Sequence, residues 1–263
     1  MIEVPAISFC ITCKNRFHQI SQTLRKNLDD NCLFQDLIEF ILVDFGSTDG
    51  LQEWVRSNFE NELRNGYLKY YYTEELLSWH ASVAKNTAHL LANNEIVVNL
   101  DCDNYTGSFG GRFLMRQFIK NPGNCVVHQY GGDPYDGSFG RIGMRRTQFI
   151  EIGGYDEEFE PMLYQDLDLI NRLRVKGSPY IFVPDSRYNR AIRNTKEAGI
   201  SQTDSKLGWF DMYQINMKRS LENIRNGKLI ANHGNWGIRK NIYDIHENLV
   251  NEFKLIHTHD KII

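Results

Sequence analysis

The sequence predicts an α/β protein built on a mainly parallel sheet flanked by helices, and three observations carry that prediction. Apolar runs recur at 6–12, 40–44, 67–72 and 96–100, each bounded by polar or glycine-containing segments. Helical patterns separate them, at 21–28, after 47–50 and at 78–92. Strand, helix, strand at this spacing implies right-handed crossovers and parallel pairing. The last run then stops at Asp101 and Asp103, one residue apart, where the strand's carboxyl end should lie. Ligands of open α/β sheets collect beyond those ends.

The elements follow in order. Residues 6–12 are apolar enough for a central strand, and Lys14, Asn15 and Arg16 begin a loop. Cys10 and Cys13 have the spacing of a zinc or redox pair, but no second pair exists. Three residues apart on a strand they face opposite sides, as buried small hydrophobes. The second strand ends at Asp44, and Ser47 or Thr48 is placed to cap the next helix. Helix 78–92 should bury Val83, Ala84, Ala88, Leu91 and Ala92. No Gly-x-Gly-x-x-Gly or P-loop follows the first strand, which argues against a dinucleotide or P-loop site.

Past Asn104 the pattern changes. A helix over 112–120 is stopped by Asn121, Pro122 and Gly123, and a strand follows at 125–130. The glycine- and aspartate-rich stretch 131–140 reads as a loop able to cover a site. A helix end breaks at Gly153 and Gly154. A further helix starts near Tyr164 with Asp166 and Asp168 in its first turn and Arg172 and Arg174 near its end, as its dipole favours. A short strand at 180–183 precedes a partly amphipathic helical region from Ser201, interrupted at 232–237. That pattern favours packing on the core, with a homodimer as the alternative. The chain thus divides into 1–104, 105–200 and a helical extension, 201–263.

Composition narrows the function. The 263 residues can bury a substantial core, and a net charge of −3 argues against general affinity for nucleic acid. No apolar run reaches the ~18–20 residues of a membrane span. The opening Met-Ile-Glu-Val-Pro lacks the order of a secretory signal. The expected location is therefore the cytoplasm, with peripheral contact at the inner membrane face left open. Five cysteines, an odd number, suit reduced thiols there. Two carboxylates at a strand end repel one another and lose solvation unless a cation joins them. An oxygen-seeking Mg²⁺ or Mn²⁺ answers both problems and leaves coordination positions for a phosphate.

Several stretches then occur in a telling order: 7–16, ending Lys-Asn-Arg; 41–50, ending Asp-Phe-Gly-Ser-Thr-Asp-Gly; Ala84, Lys85 and Asn86; Asp101-Cys102-Asp103; 152–157 with 165–169. Together they resemble the family 2 nucleotide-sugar glycosyltransferases, which have the GT-A fold. The resemblance covers about 7–177 and implies transfer of a sugar from a UDP-sugar to a hydroxyl of a glycan or lipid-linked acceptor, as in surface polysaccharide synthesis, with Mn²⁺ or Mg²⁺. It assigns 1–104 to the nucleotide sugar and 105–200 to the acceptor.

Residue by residue, the resemblance implies that Thr12 and Asp44 grip the base and ribose. Phe45 replaces the family's second aspartate and could stack on the base. Lys85 stands at a family arginine and would offset diphosphate charge. Asp101 would reach the ribose or a metal-bound water, and Asp103 would bind the metal directly. Asp166 is the expected general base, preceded by Gln165 where the family has glutamate. Asp168 points away and would pair with Arg172 on the surface. His233 is a candidate third metal ligand, and His257 with His259 a weaker one. Arg145, Arg146 and Trp236 are candidates for phosphate or sugar contact. A silent binding module and a nucleotidyltransferase are the competing readings, the latter lacking its glycine-rich loop.

Overall fold

Seven consecutive buried residues, Ile7–Cys13, form β1 in the middle of the sheet. The computed structural model describes residues 4–133, 136–195 and 199–245, and the backbone at 254–255. β2 (Ile38–Asp44) is buried along its whole length as well. A strand covered on both faces needs no polar alternation, which is why these runs read as continuously apolar. β3 (Leu68–Tyr72) and β4 (Ile96–Asn99) complete a parallel core in the order β4-β1-β2-β3. Helices α1 (Phe17–Asn31), α2 (Leu51–Asn58), α3 (Glu60–Arg64) and α4 (Ala81–Leu91) lie in the crossovers. Cys10 and Cys13 fall in the hydrophobic clusters on opposite faces, both as free thiols.

α1 is longer than its apolar periodicity predicts because its buried side is partly polar. Asn27 donates to Asn104 O (2.9 Å) and accepts from Thr106 N (2.8 Å). Asn31 donates to Thr106 Oγ1 and accepts from Gly111 N, each at 2.8 Å. These two amides tie down the chain that follows Asp103. α2 starts after Gly50, at φ 88°, without a side-chain cap. Ser47 N donates to Asp44 and Thr48 N to Asn15 instead, each at 2.8 Å.

After α5 (Gly110–Lys120) come β5 (Val126–His128), β6 (Ile142–Arg145), α6 (Arg146–Glu151), α7 (Gln165–Val175) and β7 (Tyr180–Phe182). β6 is antiparallel to both β4 and β5, so β5 runs in the same direction as β4. α8 (Trp209–Arg225) buries Met212, Asn216 and Ser220. The extension is not helical throughout: β8 (Tyr243–Asp244) pairs antiparallel with β3, and β9 (Lys254–Leu255) with β8. The sheet order is β7-β5-β6-β4-β1-β2-β3-β8-β9. His257 and His259 lie outside the described residues. Among the described residues no helix is long and apolar enough to cross a membrane.

Two sets of contacts hold the glycine turn at 152–155. Asn86 on α4 donates to Tyr155 O and accepts from Tyr155 N, each at 2.8 Å. Gly154, at φ 62°, passes so close that an added Cβ would lie 2.4 Å from Asn86 Oδ1. The second corrects the surface pairing expected of Asp168. Asp168 and Arg172 are buried, 2.7 Å apart, and Arg172 also donates to Ile152 O and Gly154 O. The guanidinium satisfies the carbonyls of a glycine turn that water cannot reach.

Candidate active site

The carboxyl ends of β1 and β4 open on one cavity. Thr12, Lys14 and Arg16 reach it from β1, Asp101 and Asp103 from β4, and Lys85 from α4. Gln165 and Asp166 enter from the first turn of α7, Asn194 from the segment after β7, and Trp79 forms a wall. The structure therefore gathers Thr12, Lys85, Asp101, Asp103 and Asp166, residues up to 154 positions apart (166 − 12).

Lys85 sits at the centre, 5% exposed. Its Nζ lies 2.8 Å from Asp166 Oδ1 and 3.6 Å from Asp101 Oδ1. Burial alone would pull this ammonium down, but Asp101 and Asp166 outweigh it and hold it above its usual value. The expected role of Lys85 changes accordingly. Its ammonium is engaged by two carboxylates, so it positions them before it can meet a phosphate. Gly140 makes room for this group: a Cβ there would lie 2.6 Å from Asp101 Oδ2 and 3.1 Å from Lys85 Nζ.

Asp103 accepts from Asn104 Nδ2 (2.6 Å) and Asn194 Nδ2, and Arg16 Nη2 stands 3.6 Å away. Burial and the neighbouring Asp101 charge push its carboxyl up to about 6, against the pull of Arg16. Arg141 lies fully buried behind it, donating to Asn104 Oδ1 and to the carbonyls of Tyr188 and Arg190. Burial draws that guanidinium down to about 10, opposed by Asp101, Asp103 and Asp136.

Among the described residues no group of three or more His, Cys, Asp or Glu side chains is placed to hold a metal. The protein's own share would be Asp101 and Asp103. An all-oxygen pair with phosphate to follow fits Mg²⁺ or Mn²⁺. His233 does not join them. It is exposed and lines a separate cleft with Glu158, Lys176 and Asn223, because residues 229–237 pack beside α6 and α8 rather than over β4.

The other residues singled out from the sequence lie away from the cavity lining. Asp44 is fully buried, with Tyr70 Oη donating at 2.6 Å and Ser47 N at 2.8 Å to its two oxygens, and it does not line the cavity. It braces the turn after β2. Phe45 is fully buried with its ring edge-on to Trp79 at 6.0 Å, so it backs the cavity wall and presents no face to a base. Arg145 bonds Glu95 and the carbonyls of Pro122 and Gly123, at the opposite edge of the sheet. Arg146 follows on that side, its N–H donating to Glu95 O at 2.7 Å. Trp236 is buried against Phe149.

Sequence reasoning missed Asn194 and Asn216, and gave Arg16 no role. Asn194 reaches the site because its segment lies along 103–105, with Ile192 N donating to Asp103 O (2.8 Å) and Tyr105 N to Arg190 O (2.9 Å). Asn216 on α8 accepts from Glu160 N (2.7 Å) and donates to the carbonyls of Met162 (3.0 Å) and Leu163 (2.8 Å). It thereby clamps a turn in which Leu163 and Tyr164 have φ of 74° and 67°, directly before Asp166. Neither asparagine carries a sequence signal, since an isolated Asn in a loop or on a helix is ordinarily just polar.

The fold is that of the GT-A glycosyltransferases. TarS 1–349 of S. aureus, in complex with UDP-GlcNAc, superposes with a TM-score of 0.63 at 19% identity, over 84% of this chain and 67% of that one. A mannosyltransferase from Pyrobaculum calidifontis, in complex with GDP-Man and Mn²⁺, gives 0.60 at 18%, over 87% and 72%. At such identities the likeness establishes the fold. Residues 8–109 match the family model described as Glycosyl transferase family 2, so the resemblance read from the motifs holds for the half that carries Asp101 and Asp103. No curated protein sequence matches the chain significantly.

Proposed function

We propose that this protein is an inverting, metal-dependent glycosyltransferase that moves a sugar from a nucleoside diphosphate, UDP by preference, to a hydroxyl of a glycan or lipid-linked acceptor. Residues 1–104 would hold the donor and 105–200 the acceptor. The observation that carries the reading is Lys85, paired at once with Asp101 of the donor side and Asp166 of the acceptor side. That bridge sets a candidate base beside a candidate diphosphate site within one cavity. UDP-GlcNAc in TarS and GDP-Man with Mn²⁺ in the mannosyltransferase support a nucleotide-sugar donor.

Asp101 and Asp103 would hold the cation, which when bound neutralises charge on the departing diphosphate. Asp166 accepts the proton of the attacking hydroxyl. Its Oδ1 is taken by Lys85, while Oδ2 has only a 3.3 Å contact from Gln165 Nε2, which leaves Oδ2 for that proton. Gln165 does not disable this arrangement. Its Oε1 is buried and lacks a hydrogen-bond partner in the structure, so an acceptor hydroxyl can donate to it. Trp79 and Met162 supply the apolar wall that excludes water, with Trp79 Nε1 3.1 Å from Met162 Sδ. A surface-polysaccharide acceptor and contact with the inner membrane face belong to the same reading.

The test measures nucleoside diphosphate release from a panel of UDP- and GDP-sugars with Mn²⁺, with and without sugar acceptors, and the anomeric configuration of the product by NMR. Acceptor-stimulated release with inverted product is expected. Pyrophosphate release in a parallel assay with a nucleoside triphosphate and a sugar 1-phosphate would indicate nucleotidyl transfer, and binding without turnover a silent module; either overturns the reading.

A further inference from the structure

We propose that Arg16 is a displaceable counter-ion. It holds Asp103 while the site is empty and yields that carboxylate when a divalent cation arrives with a nucleoside diphosphate, so that cation and nucleotide bind cooperatively. The inference rests on the reading of Asp101 and Asp103 as the protein's share of a cation site.

The geometry marks Arg16 as the mobile partner. Its guanidinium Nη2 lies 3.6 Å from Asp103 Oδ2, an ion pair without a direct hydrogen bond. The two side chains are 19% and 13% exposed, so the attraction is only partly screened by solvent. A ring of side chains aims both groups at Asp103. Arg16 Nε donates to Gln19 Oε1, Gln19 Nε2 to Asn194 Oδ1, and Asn194 Nδ2 to Asp103 Oδ2. The other cations cannot give way so readily. Lys85 is nearly buried and fixed by Asp166 at 2.8 Å, and Lys14 Nζ is held by the carbonyls of Phe45 (2.7 Å) and Leu76 (2.9 Å). Arg141 is fully buried and holds two carbonyls and the Asn104 amide oxygen.

Counting charges explains why the exchange needs both ligands. Asp101, Asp103 and Asp166 line the cavity together with Lys14, Arg16 and Lys85, three carboxylates against three cations. A divalent cation entering alone would leave the site strongly positive, and a diphosphate entering alone would leave it strongly negative. Arriving together they nearly cancel. Each therefore lowers the cost of the other, and by linkage the two effects are equal. Once released, the planar guanidinium stays at the cavity beside the diphosphate, whose oxygens it can bind in pairs.

The experiment titrates the full-length protein with Mn²⁺, following free Mn²⁺ by electron paramagnetic resonance, with and without saturating UDP. In the wild type, UDP should strengthen Mn²⁺ binding at least tenfold. Arg16→Met should bind Mn²⁺ alone at least fivefold more tightly than the wild type, and its UDP-linked gain should shrink by at least fivefold. Gln19→Leu keeps the guanidinium but removes its anchor, and should shift Mn²⁺ affinity the same way by about twofold. Should Arg16→Met fail to fold, Gln19→Leu decides. No gain in Mn²⁺ affinity in the variants that fold overturns the proposal. Asp103→Asn separates the two levels of inference. If it leaves UDP-dependent Mn²⁺ binding intact, the cation site itself is misassigned; if it abolishes that binding while the Arg16 and Gln19 variants change nothing, only the counter-ion role fails.

Discussion

The two sides of the cavity are built by different means. On the side proposed for the donor, Thr12, Arg16, Asp101 and Asp103 stand at or just beyond the ends of β1 and β4, adjacent strands paired residue by residue. Their positions follow from the sheet. On the side proposed for the acceptor, Asp166 follows a left-handed turn that no sheet supports, and Asn216, fifty positions later (216 − 166), holds that turn by its backbone. A strand end needs only its ladder to be precise. A carboxylate at the start of a short helix needs a tertiary clamp.

The contrast can be broken by experiment. Asp166→Asn should reduce kcat about a thousandfold, within the usual range for losing a general base, while donor affinity stays within about threefold. Isothermal titration with UDP beside initial rates checks it, and equal losses in both would join the two sides. Asp103→Asn should weaken UDP binding in Mn²⁺ by about a hundredfold through the lost charge-assisted contact, read in the same titration. Asn216→Ala leaves Met162 O, Leu163 O and Glu160 N without their amide partner, a loss of roughly 1–3 kcal/mol per unsatisfied buried group. It should lower Tm and reduce kcat about tenfold with UDP affinity unchanged. A drop in UDP affinity as large as that of Asp103→Asn would show that α8 serves both sides.

The smallest effect concerns the seam between the two sides. His89 on α4 is fully buried, stacked 4.6 Å from Phe149, with Nδ1 2.7 Å from Lys85 O and Nε2 unpartnered. Burial lowers its pKa from 6.5 to about 4, despite the hydrogen bond to Lys85 O. The unfolded chain therefore takes up a proton first as pH falls. The stability of the neutral ring is full above about 6.5 and is lost towards pH 4, at up to roughly 1.4 kcal/mol per pH unit. Urea unfolding at pH 7, 6 and 5 should show this slope, and His89→Gln should flatten it. An unchanged slope in the variant would remove His89 as its source.

How far the site was legible tracks this division. Asp101 and Asp103 could be placed at the cavity because a buried strand directly precedes them, and Asp166 because a helix start is marked by acids. Asp44 could not be placed from sequence because a turn aspartate and a base-reading aspartate look alike until Tyr70 and Ser47 are seen on its oxygens. His233 misled because residue type suggests a ligand without saying where a loop goes. Asn194 was invisible for the complementary reason: an amide with no motif acquires its role only by lying beside Asp103.

By itself the sequence determined the parallel core, since apolar period, glycine turns and crossover spacing are local or near-local properties. It also determined that acids cluster at a strand's carboxyl end. Only the tertiary structure decided which cation faces which acid, that Asp168 and Arg172 are buried, and that α8 turns Asn216 inward. Those outcomes depend on distances between groups far apart in the chain. Coulombic attraction and the need to pair every buried polar atom act on distance in space, which separation in sequence does not encode.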